Sequence, residues 1–178
     1  LSRYSKGAII LHWVMAVMII GNLAGGLLHD LVPNDAGQRT AVMGLHKSFG
    51  LTIIALALLR IGWRLANPPP ALPHYFTSGE RLLAGATHIA FYLAMLALPF
   101  SGWVMADRND RPLSYFGLTD VPKLGVGKPV AEQAGEVHEL LGWMMLALLA
   151  LHVLALIKHY VLDRDNLLIR MGLGKARG

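Results

Sequence analysis

Eight histidines stand in a chain of 178 residues, and four of them sit where an ionisable group is hardest to accommodate. His12, His46, His138 and His152 each lie in or at the start of a long apolar run. A titratable side chain within a membrane-spanning helix is expensive, so it marks a function or finds a partner. His138 and His152 stand fourteen residues apart in EVHELLGWMMLALLALHVLALIKHY. At 3.6 residues per turn that is just under four turns, so both rings face nearly one side, about 21 Å apart along the axis. Two imidazoles that face each other across a bundle interior can fill both axial positions of a b-type haem iron, which favours electron transfer over oxygen binding. Two readings without haem compete. A membrane histidine can simply hydrogen-bond a neighbouring helix. A histidine-based transporter of zinc or protons would need carboxylates beside the histidines, and the helix interiors hold none.

The elements that must position these rings are helices. Hydrophobic residues make up 54% of the chain and mean hydropathy is +0.48, which exceeds a soluble domain and points to a membrane protein. The apolar residues come in four blocks, about 7–28, 45–65, 82–105 and 137–160, each long enough to span a bilayer. The expected fold is all-α, an integral membrane four-helix bundle forming one domain over residues 1–178. Pro33, Asn34 and Gly37 signal the first turn, and Pro68–Pro70 make the second connector rigid and extended. Pro99 and Gly102 predict a kink in the third helix. Residues 106–135 form the longest connection, and its PLSYFGL stretch predicts a short helix on the membrane surface. With no cysteine, disulfides, zinc–thiolate sites, iron–sulfur clusters and covalently attached haem are excluded.

Four spans put both termini on one side. That side carries Arg3, Lys6, Arg60, Arg64, Arg81, Lys158, Arg164, Arg170, Lys175 and Arg177, and the positive-inside rule makes it cytoplasmic. The net charge of +5 is thereby a matter of topology, with no basic stripe for nucleic acid. By depth, the histidines form two level pairs: His12 with His152 near the cytoplasmic face, and His46 with His138 near the outer face. Two stacked haem b groups, one per pair, would make a transmembrane electron wire.

The remaining polar residues divide between roles and plain anchoring. His159 lies two turns past His152 on the same face, where it suits a ubiquinone headgroup, with Lys158 beside it; a histidine reaching for the interface would look the same. His88 can bond a haem propionate or a neighbouring helix. Arg60, Arg64 and Lys6 can pair with propionates or serve as topology anchors. Lys47, Arg108 and Arg111 can gather anions at the outer surface. His29 and His74 fall in loops and are expected to be solvated. Trp13, Trp63, Trp103 and Trp143 fall near helix ends, as an interfacial belt does. Gly21, Gly25, Gly50 and Gly142 can admit a macrocycle or pack helices closely.

These residues carry a resemblance. LHW at Leu11–Trp13, LHKSFG at Leu45–Gly50, PPP at Pro68–Pro70, HIAFYL at His88–Leu93 and FGL at Phe116–Leu118 are similar to bacterial cytochrome b561 proteins, as are VHELLG, LHVLALIKHY and DNLLIRM. The resemblance covers nearly the whole chain. It implies four transmembrane helices in a bacterial inner membrane and two non-covalent haem b groups. It implies His12, His46, His138 and His152 as ligands, and electron exchange with the quinone pool. One branch resembles a superoxide oxidase, which takes electrons from superoxide at the outer face and reduces ubiquinone. Others look like electron conduits, and the related cytochrome b subunits of hydrogenases serve a redox partner protein as membrane anchors.

Overall fold

The computed structural model describes residues 2–33, 37–110, 112–163 and 167–173. Asn34, Arg111, Arg164, Lys175 and Arg177, named above for turn or charge, lie outside the described residues. Four helices carry the fold: α1 Lys6–Leu27, α2 Gln38–Ala66, α3 Ser78–Met105 and α4 Lys128–Val161. Each is long and apolar enough to cross a membrane.

Local chemistry sets where they start. The Ser5 hydroxyl accepts from the Ala8 amide at the head of α1. Thr77 and Glu80 form a reciprocal capping box at the head of α3. Gly37, at φ +75°, turns the chain into α2, and Pro129 sits in the first turn of α4. Three helices begin four or more residues before their apolar runs: α2 by seven (38 against 45), α3 by four (78 against 82) and α4 by nine (128 against 137). Their first turns are polar and project past the hydrocarbon, where water and caps satisfy the backbone. α3 runs unbroken through Pro99, where the structure assigns no break.

The helices pack in chain order, α1 on α2, α2 on α3 and α3 on α4, with no comparable contact between α1 and α4. Met15, Ile53, Ala57, Ala94, Met95 and Met145 form the buried centre. The outward faces are apolar, with Ile10, Val17, Leu58, Leu82, Leu140 and Leu151 exposed. Such a surface calls for lipid as its solvent.

The connection after α3 differs from the surface helix expected from its sequence. After a 3-10 turn at Ala106–Arg108 it forms an antiparallel hairpin, β1 Leu113–Tyr115 with β2 Thr119–Val121. Phe116 and Gly117 both take positive φ, 51° and 72°, as tight hairpin turns require, and Tyr115, Thr119 and Val121 favour strand. Ser48, fully buried on α2, anchors the hairpin by accepting from the Phe116 amide at 2.9 Å. Thr52 bonds the Tyr115 hydroxyl at 3.0 Å.

The opposite end holds residues 2–5, the 67–77 connector and residues 167–173. The tail is less plain than its polar composition suggests, since Leu167–Met171 forms a 3-10 turn in which Arg170 is buried. Its guanidinium donates to the carbonyls of Ser2, Pro70 and Ala71 and lies over the Tyr4 ring. Three indoles donate within the chain: Trp13 to the Met171 carbonyl, Trp63 to Ser5 and Trp103 to the Pro122 carbonyl.

Candidate functional site

The bundle brings the four apolar-run histidines together as two pairs. Ring centres of His12 and His152 are 6.3 Å apart, and those of His46 and His138 are 6.1 Å apart. The first pair links α1 to α4 at the terminal end, and the second links α2 to α4 at the hairpin end. Two metal–imidazole bonds of about 2.0–2.1 Å, with about 1.1 Å from each nitrogen to its ring centre, place ring centres about 6.2–6.4 Å apart. The 6.3 Å pair falls inside that range and the 6.1 Å pair 0.1 Å short of it, so each is spaced to within 0.1 Å of what one six-coordinate iron needs.

At the hairpin end, one local device is used twice. His46 Nδ1 lies 2.9 Å from the Asn22 carbonyl, and His138 Nδ1 lies 2.9 Å from the Leu98 carbonyl. Four residues on from each carbonyl stands a glycine whose surface the ring lies against. A Cβ on Gly26 would meet the His46 ring at 2.7 Å, and one on Gly102 would meet the His138 ring at 2.9 Å. The carbonyl fixes Nδ1 as the protonated nitrogen, and the glycine admits the ring. Each Nε2 is left without a protein partner among the described residues, as a ligand nitrogen must be. The Asn22 side-chain oxygen is buried with no hydrogen bond of its own.

The terminal-end pair is held differently. Arg60 approaches His12 Nδ1 at 3.3 Å and the Tyr92 hydroxyl at 3.4 Å. Arg64 lies over the Tyr92 ring. His152 packs edge-on against Phe91 and makes no hydrogen bond among the described residues. His88 is tied by Nδ1 to the Ala84 carbonyl at 2.6 Å.

The other polar residues fall as follows. His159 is buried rather than reaching into the interface, stacked on Phe76 with ring centres 4.9 Å apart and planes 9° apart. Its Nδ1 lies 2.6 Å from the Asp163 carboxylate, out of line for a hydrogen bond. Lys158 bridges Glu80 at 2.6 Å and Asp163 at 2.7 Å. Lys158 holds the Asp163 carboxyl below the usual carboxylate range, with the nearby His159 adding to the effect. His29, expected in solvent, is half-buried and bonds the Gly26 carbonyl at 2.7 Å; His74 is exposed as expected. Lys47 lines a hollow of about 410 Å³ beside Asn109 and Asp110, whereas Arg108 lies against Gly135. Apart from the adjacent turns of its own helix, nothing among the described residues lies within 4 Å of a Cβ built on Gly21, Gly25 or Gly142. The glycines that press on the rings are Gly26 and Gly102, which the sequence does not single out for that role.

Four apolar helices that oppose histidines in their interior define a membrane cytochrome of the b type. The chain belongs to the prokaryotic cytochrome b561 family, whose profile matches residues 3–174. It is 35% identical to cytochrome b561 homolog 2 of Escherichia coli K12, over 98% of this chain and 93% of the relative. It is 27% identical to the probable superoxide oxidase CybB of Yersinia pestis, over 99% and 98%. Cytochrome b562 of Cereibacter sphaeroides is 26% identical over 94% of each chain. The chain is thus a bacterial membrane protein of a b-haem family with a redox role.

Proposed function

We propose that the chain holds two haem b groups, one between His12 and His152 and one between His46 and His138. It moves electrons across the inner membrane, between a donor at the hairpin end and ubiquinone at the terminal end. The observation that carries this is the pair of histidine couples at iron-ligating spacing, both sharing α4. Bound there, the haems supply two one-electron carriers stacked along the bundle.

The chain's own residues do the rest. The Asn22 and Leu98 carbonyls hold His46 and His138 in one tautomer and orientation. His88, beside the terminal-end pair, suits a propionate carboxylate. Met15, Ile53 and Met145 fill the centre and exclude water. The basic residues of the terminal end put it in the cytoplasm, together with both termini. At the outer face Lys47, beside the hollow it shares with Asn109 and Asp110, and Arg108 are the cations that would meet an anionic donor such as superoxide. Two superoxide ions release two molecules of oxygen and two electrons. One ubiquinone takes up those electrons with two protons. His159, set against Asp163 and next to Lys158, is the group placed to pass a proton to that quinone.

Haem quantitation with reduced-minus-oxidised spectra tests the core of the reading. Two low-spin haems per chain are expected. His12→Ala and His152→Ala should remove one spectral component, and His46→Ala and His138→Ala the other. One haem in a fully loaded preparation, or His12→Ala and His138→Ala deleting the same component, overturns it. Superoxide as sole donor should then reduce ubiquinone, and His159→Ala should slow that transfer about 10²-fold while keeping both haems. A strict need for a partner protein would replace this donor with the reading of a membrane-anchor subunit.

A further inference from the structure

The two histidine pairs are built from the same ring but not from the same surroundings. At the hairpin end both ligand rings give their Nδ1 proton to a backbone carbonyl, at 2.9 Å in each case. Ser101 lies a further 3.2 Å from His138 Nδ1. A carbonyl on Nδ1 makes the ring a stronger electron donor through Nε2, which favours the oxidised metal. At the terminal end neither ligand ring has a carbonyl on Nδ1 among the described residues. His12 Nδ1 instead faces the Arg60 guanidinium at 3.3 Å. A fixed cation there opposes positive charge on the ring and on any iron it holds, which favours the reduced metal.

Other charges need weighing. Lys47 adjoins His46 in sequence, and Arg108 lies near His138, packed on Gly135 three residues before it. Both are exposed at the bundle end, where water and salt weaken them. Arg60 is half-buried between His12 and Tyr92. Arg64 also stands at the terminal end, over Tyr92. The partners touching the rings therefore decide the sign.

We propose that Arg60 is a potential-setting residue that makes the terminal-end haem the higher-potential one, so electrons run downhill from the hairpin end to the terminal end. The proposal rests on the two-haem reading above and adds a direction to it. Arg60 acts through His12 and the iron's field, and it needs no contact with substrate.

Optical redox titration of the holoprotein tests this. Two one-electron waves are expected in the wild type. His46→Ala, which removes the hairpin-end haem, should keep the higher wave. Arg60→Gln should move only that higher wave to more negative potential. At a fixed ambient potential the ferrous-to-ferric ratio of that haem should fall about tenfold, which for one electron is about 59 mV. Arg60→Lys should recover part of the shift. The proposal is overturned if His46→Ala keeps the lower wave, or if Arg60→Gln moves the other wave or neither. If Arg60→Gln fails to load, the His46→Ala titration still decides the order. A wild-type preparation with a single haem would instead strike the two-haem reading, and is seen in the haem count before any potential is measured.

Discussion

Gly26 and Gly102 allow the hairpin-end pair to be perturbed without touching a ligand. A methyl on Gly26 would stand 2.7 Å from Cε1 of His46, where ordinary contact begins near 3.4 Å, so 0.7 Å must be found. For Gly102 and His138 the gap runs from 2.9 to 3.4 Å, a shift of 0.5 Å. The ring cannot easily retreat, because Nδ1 is tied to the carbonyl one turn earlier on the same helix. Either that bond stretches or the two helices separate, α1 from α2 at Gly26 and α3 from α4 at Gly102, and both tilt Nε2 away from its opposite number. Overpacking of this kind costs about 1–3 kcal/mol, which is about 5- to 150-fold in haem affinity. Alanine otherwise favours a helix over glycine by about 1 kcal/mol, so haem loss cannot be charged to helix propensity. The assay is the haem-to-protein ratio and difference spectrum of Gly26→Ala, Gly102→Ala and the double variant. Gly26→Ala should lose more hairpin-end haem than Gly102→Ala, and the terminal-end component should stay. Full loading in both single variants, or loss of the terminal-end component, would refute the cradle argument.

Three further outcomes are expected. Ser48→Ala leaves the Phe116 amide unpaired, costing about 1–3 kcal/mol, so amide exchange across residues 113–121 should accelerate while the helices stay protected. Arg170→Ala strips the carbonyls of Ser2, Pro70 and Ala71 of a charged donor, worth about 1.5–3 kcal/mol, and limited proteolysis should cut near residues 167–173 first. Asp163 has its folded pKa depressed by Lys158, so its stabilising contribution is present above the ordinary carboxylate value of about 4 and lost as pH falls through the lower folded value. Melting in detergent from pH 6 to pH 3 should therefore fall more steeply for the wild type than for Asp163→Asn, and equal slopes would show that the carboxylate adds nothing.

The helices and both histidine pairs were legible because a membrane enforces a simple code. Apolar length gives the spans, and a histidine inside a span has few places to go. The fourteen-residue spacing of His138 and His152 then fixes two levels. The hairpin was not legible, since PLSYFGL is apolar enough for a surface helix and only the positive φ at Phe116 and Gly117 reveals the turn. The ring contacts of Gly26 and Gly102 are not legible in the sequence, because each depends on a ring from another helix. The burial of His159 and Arg170 likewise depends on long-range partners, Phe76 for one and the Pro70–Ala71 backbone for the other. Neither partner has periodicity to announce it.

α4 is the common member of both pairs, yet it packs on α3 and scarcely on α1. Its phase must therefore be set elsewhere, because a rotation of α4 would turn His138 and His152 out of line together. Besides the bond from His138 to the Leu98 carbonyl of α3, the fixings lie at its ends. Asp107, buried at the foot of α3, accepts from the amides of Leu124 and Val126 just before α4 begins. Lys158 ties the far end to Glu80 in the first turn of α3. Just beyond, the tail joins α1 through the bond from Trp13 to Met171. These contacts lie outside the space between the histidines, and they hold α4 as a ruler against α3 while its other face stays open to α1 and α2. An apolar seam of leucines has many nearly equal registers, and membrane packing alone distinguishes them weakly. Directed bonds at both ends select one register, the one in which rings fourteen residues apart meet partners from two different helices.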